Sequence, residues 1–146
     1  MDSLVCLAPP CTEGALHALD LVRLAVAAFL AILFLQSGID KVVDRKGNLE
    51  WLTGHFSKSP LAAFVVPMVN VITAVELAAG ALSALGFVSW IATGSRTVAA
   101  LGALLSVLAL LMLFFGQRVA KDYTGAAALV PYLVVASGGL GLMGIP

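Results

Sequence analysis

Four long stretches of this chain are apolar on every side, and short polar segments separate them. They cover residues 19–39, 64–86, 97–115 and 124–145. Each has close to the roughly 20 residues that an α-helix needs to cross a bilayer core. Strands of a membrane barrel alternate apolar and polar positions, and these runs do not alternate. The pattern therefore predicts an all-α protein, a transmembrane four-helix bundle. Between the first and second runs, Leu49, Leu52 and Phe56 recur at helical spacing with Trp51 beside them. That spacing predicts a short amphipathic helix lying in the membrane interface, entered through a turn at Lys46-Gly47-Asn48. Residues 1–18 then form an arm ahead of a bundle domain, residues 19–146.

Composition strengthens this reading. Of 146 residues, 61% are hydrophobic and 11% charged, against about 25% charged in an average soluble domain. Little chain remains for a separate soluble domain. The net charge is zero and no basic stripe is present, which argues against a nucleic-acid partner. The bilayer is the expected partner. The arm before the first run contains no Lys or Arg, so it lacks the basic start of a signal peptide. The first run is expected to be a retained helix, with Arg23 reaching from its entry toward the headgroups.

Basic residues in short loops set orientation. Lys41, Arg45, Lys46, Lys58, Arg118 and Lys121 fall on one side, Arg23 and Arg96 on the other. The two basic loops are expected in the cytoplasm and both termini on the outer side, the periplasm in a bacterium. That placement puts Cys6 and Cys11 in an oxidising compartment, where they are candidates for a disulfide. Four residues separate them, unlike a redox Cys-x-x-Cys, so a structural clip or two unpaired thiols are the plainer alternatives. No ligand set for a metal stands out.

The candidate chemistry starts at Glu76. Residues 61–86 carry no other charge, and an ionised carboxylate facing lipid at that depth costs about 2.5–3.5 kcal/mol on insertion scales. Asn70, Thr73, Glu76, Gly80 and Ser83 follow one another at spacings of three or four residues. They form one polar and small stripe, the seam of a helix packed inside a bundle. A neutral Glu76 bonded to a neighbouring hydroxyl or carbonyl would satisfy that seam structurally. The alternative is a carboxyl that handles protons or substrate.

Further polar groups lie at the ends and centres of the other runs. The first closes with Gln36-Ser37-Gly38-Ile39-Asp40-Lys41. Helical spacing puts Gln36 over Asp40 and Ser37 over both Asp40 and Lys41. The plain alternative is a helix leaving the membrane with Lys41 at the headgroups. Ser106 is central in the third run. Pro131-Tyr132 stand mid-depth in the fourth, where Tyr132 has a proline-freed carbonyl or Glu76 as possible acceptors, and Ser137-Gly138-Gly139 and Gly141 allow close packing. Asp122 is placed to cap the fourth helix. Gln36, Ser37, Asp40, Lys41, Asn70, Thr73, Glu76, Ser106 and Tyr132 are thus the candidate polar pocket, with Glu76 and Tyr132 as the catalytic candidates. His55 reads as an interfacial histidine.

Ser37-Gly38-x-x-Lys41, the Trp51-bearing amphipathic segment, Glu76-x-x-x-Gly80 and Lys121-Asp122-Tyr123-x-Gly125-Ala126-Ala127 occur in that order. Together they resemble the DoxX-like family of small four-helix membrane proteins, over the chain from Leu19 onward and excluding the cysteine arm. The resemblance implies a multi-pass protein of the cell inner membrane. Founding members of the family are associated with thiosulfate oxidation coupled to quinone, and others with redox-stress complexes. This chain offers no haem or iron–sulfur ligand set.

The leading expectation is therefore an accessory or scaffold subunit of a quinone-linked redox complex. It would have no prosthetic group of its own, and its partners would be other membrane or redox proteins, or a second copy of the chain. A second expectation is a quinone-reactive oxidoreductase subunit in which Glu76 relays a proton and Tyr132 or Ser106 orients the quinone. A third is a small-molecule or lipid transporter acting as an oligomer. No inverted repeat between the chain's halves supports the third.

Overall fold

The computed structural model describes residues 5–6 and 16–144. The Cys6–Cys11 pairing lies outside the described residues. In the arm, β1 (Val5–Cys6) pairs in parallel with β2 (Leu16–His17). Five α-helices follow: α1 (Ala18–Val43), α2 (Arg45–His55), α3 (Val65–Thr93), α4 (Thr97–Val119) and α5 (Tyr123–Gly144). A 3-10 turn, Ala62–Phe64, leads into α3. Four of these helices are long and apolar enough to cross a membrane, so the chain is a multi-pass membrane protein with an all-α, four-helix bundle fold.

α3 packs against α1 on one side and α4 on the other, and α4 packs against α5. A smaller contact between α1 and α5 closes the ring. Small residues carry these contacts. On α4, Ala99, Gly102, Ala103, Ser106 and Ala109 are all buried, so the backbones approach closely and gain dispersion contacts that lipid tails cannot match. A Cβ on Gly102 would stand 2.6 Å from the Ser83 backbone nitrogen, and one on Gly80 would stand 2.7 Å from that of Leu35. The outer surface keeps large apolar side chains: Ile32, Ile91, Phe115 and Val134 are each more than 60% exposed, which suits acyl chains rather than water.

Three local expectations change. α3 continues past Gly86, because Phe87, Val88, Trp90 and Ile91 keep it apolar and Trp90 is buried. It stops at Gly94, whose φ of 72° makes a left-handed C-cap that costs glycine little. The turn expected at Lys46-Gly47-Asn48 is instead the first turn of α2, for Asp44 caps it by accepting from the Gly47 backbone N–H at 3.1 Å. Of the α5 glycines expected in close packing, only Gly139 meets a neighbour, Val26; nothing lies within 4 Å of a Cβ on Gly138 or Gly141.

The α2 cap recurs at α5, where Asp122 accepts from the Gly125 backbone N–H at 2.8 Å. Both helices thus begin Asp-x-x-Gly, and in both a Cβ on the glycine would run into the capping carboxylate. Asp122→Ala is expected to lower stability by about 1 kcal/mol, the usual worth of a carboxylate N-cap. A denaturant titration in detergent measures it, and an unchanged midpoint would rule the cap out as a stabilising element.

Candidate functional site

The site forms where α1 and α3 cross. Ser37 and Lys41 are one turn apart on α1 and share a face. Gly38 and Gly80 let the two backbones close up, and this brings Glu76 of α3 under both side chains. Lys41 Nζ donates to Ser37 Oγ at 2.8 Å and to Glu76 Oε1 at 3.2 Å. Ser37 Oγ donates to the same Oε1 at 3.1 Å. Glu76 Oε2 stands 2.9 Å from Nζ but off the line of a hydrogen bond. Glu76 is 0% exposed, whereas the Lys41 side chain keeps 16% of its surface. The carboxyl is therefore the buried member of an ion pair, and the ammonium is the member that can be reached.

The structure divides the predicted pocket. Ser37, Lys41 and Glu76 come together. Gln36 and Asp40 are exposed, one position away on α1 and so about 100° round the helix. Asn70 is also exposed, and its side-chain oxygen accepts from Arg45, tying α2 to α3. Thr73 and Ser106 are buried but bond within their own helices, to the Val69 and Gly102 carbonyls at 2.6 and 2.8 Å. Tyr132 is 39% exposed on the outer surface and stacks on Phe29 with ring centroids 6.2 Å apart; it hydrogen-bonds to neither Glu76 nor the proline-freed carbonyl. Arg23, expected at the headgroups, is buried and donates to the Leu142 carbonyl of α5 at 2.9 Å while pairing with Asp20.

Beside Lys41 lies a feature that the sequence pattern did not disclose. A cleft of about 440 Å³ runs between α2, the start of α3 and the end of α4. Leu52 and Phe56 wall it on one side, Val69 and Ile72 on another, Met112 and Gly116 on the third. Its exposed apolar rim includes Phe64, Pro67, Val71 and Phe115, so it opens on the surface that lipid covers. Among the described residues, Lys41 and Gln117 are its only lining side chains that carry hydrogen-bonding groups. Gln117 is held by His55, whose Nε2 lies 2.8 Å from the amide oxygen. His55 in turn stacks on Trp51 and stands 3.8 Å from Asp122. The amide nitrogen of Gln117 makes no hydrogen bond among the described residues.

No sequence signal marks Gln117 or Met112 as site residues, because the cleft exists only once α2 folds back over α3 and α4. Comparison with protein-family models, with curated proteins and with solved structures returned no match.

Proposed function

We propose that this chain is a small integral subunit of an inner-membrane redox complex, of the DoxX-like kind, that holds a quinone headgroup for a partner oxidoreductase. One observation carries the reading: a lysine backed by a buried carboxyl reaches the wall of a cleft that is apolar apart from Gln117 and opens toward lipid. A volume of about 440 Å³ is within the usual range for a small-molecule site. A quinone carbonyl accepts hydrogen bonds, its ring suits apolar walls, and its isoprenoid tail leaves through the open side into the bilayer. Lys41 and Gln117 replace Tyr132 and Ser106 as the orienting donors in this reading. In this reading α2 and the cleft lie on the cytoplasmic side and both termini on the outer side, as the bias of basic residues in the loops favours. In this reading the electrons come from the partner oxidoreductase.

The test is binding of decylubiquinone to the protein purified in mild detergent, with mass spectrometry of the proteins and quinones that co-purify. Saturable binding that weakens at least tenfold in Gln117→Leu is expected, together with a co-purifying oxidoreductase. A preparation that binds no quinone and carries no such partner overturns the proposal.

A further inference from the structure

The charge balance of the cleft bears on what it admits. Lys41 is the only charged side chain lining it among the described residues. A lone ammonium at the end of an apolar cleft open to lipid would be a trap for anionic amphiphiles, which a bilayer supplies in quantity. Here the ammonium already has an anion. Glu76 lies behind it with both carboxyl oxygens within 3.2 Å of Nζ. The same Nζ also donates to Ser37 Oγ at 2.8 Å and to the Ser37 carbonyl at 3.4 Å. Its three N–H groups are thus committed, and the longest bond is the one a ligand carbonyl can replace with least loss. A second anion would meet a neutralised lysine and the like charge of a carboxylate just behind it, in surroundings where such repulsion is poorly screened.

We propose that Glu76 is a specificity-determining positioning residue: by neutralising Lys41 it makes the cleft select amphiphiles with a neutral carbonyl head and exclude those with an anionic head. Glu76 does not itself line the cleft, so it acts through Lys41. The proposal rests on the reading of the cleft as a ligand site, but not on the ligand being a quinone.

Two probes of equal tail length separate head charge from chain burial: methyl heptadecanoate, neutral with an ester carbonyl, and hexadecanesulfonate, anionic at every working pH. Each is added at the same mole fraction to the full chain in phosphatidylcholine nanodiscs, and occupancy is read by native mass spectrometry. The wild type is expected to prefer the ester at least tenfold. Glu76→Gln is expected to reverse the preference toward the sulfonate by a further tenfold or more, and Glu76→Asp to restore it, a pattern that a purely structural carboxyl would not produce. A wild type that takes both probes equally overturns the inference, and does so even should the Gln variant fail to fold. A folded Gln variant with unchanged preference overturns it as well. Failure of both probes to bind any variant overturns the cleft as a ligand site. Failure of decylubiquinone alone, with the ester still preferred, removes only the quinone.

Discussion

Lys41→Met is expected to destabilise the bundle by about 3–5 kcal/mol, the usual consequence of removing one partner from a buried ion pair. Glu76 is 0% exposed, so no water replaces the lost ammonium, and the Ser37 hydroxyl is the one other side-chain donor to it among the described residues. The double variant Lys41→Met/Glu76→Met is expected to recover most of that loss, because apolar side chains of similar volume pack where two charges had to be desolvated. Glu76→Gln is expected to be much milder than Lys41→Met. It keeps the shape of the carboxyl, and Lys41 retains exposure and a flexible stem through which to find another partner. The ordering is read from unfolding midpoints in a detergent or mixed-micelle titration. Equal losses in the two single variants would mean that the pair is not asymmetrically buried as the structure has it.

The second large effect is steric. Gly80→Leu is expected to lower stability by about 3 kcal/mol, the upper part of the overpacking range, and to disturb the site as well. A Cβ there would meet the Leu35 backbone nitrogen at 2.7 Å, and backbone cannot swing aside as a side chain can. Separating α1 from α3 at Gly80 also pulls Ser37 and Lys41 off Glu76, one turn away. Gly141→Leu is the matched control: nothing lies within 4 Å of a Cβ at that position, so the same substitution in the same kind of helix is expected to be near neutral. Equal effects of the two substitutions on the unfolding midpoint would refute the close α1–α3 approach and assign the loss to glycine replacement in general.

The pairing of α1 with α3 is also where reading the chain ahead of its structure succeeded and stopped. On α1, Ser37/Lys41 and Gln36/Asp40 are both one-turn pairs, and each is equally good as a polar face. Only docking against α3 chose the first and turned the second outward. On α3, Thr73, Glu76, Gly80 and Ser83 are buried as their spacing predicted, while Asn70, one step earlier on the same stripe, is exposed and bonded to α2. Tyr132 shows the same limit on α5. That helix is apolar all round, so its sequence carries no rotational signal, and the ring landed on the lipid side against Phe29.

Local chemistry determined a good deal by itself. The length and apolar character of four runs dictate four membrane helices, because only a helix satisfies every backbone group inside hydrocarbon. Asp122 ahead of α5 marks its start through a short-range hydrogen bond, and the lone Glu76 in an uncharged run had to be turned away from lipid. Each of these follows from residues within a few positions of one another. Which helix faces meet, which lysine answers the buried acid, and the cleft beneath α2 were decided by tertiary packing. They depend on contacts between residues far apart in the chain, such as Lys41 with Glu76 or Phe56 with Gly116, and on small residues whose role is visible only in what they allow to come close.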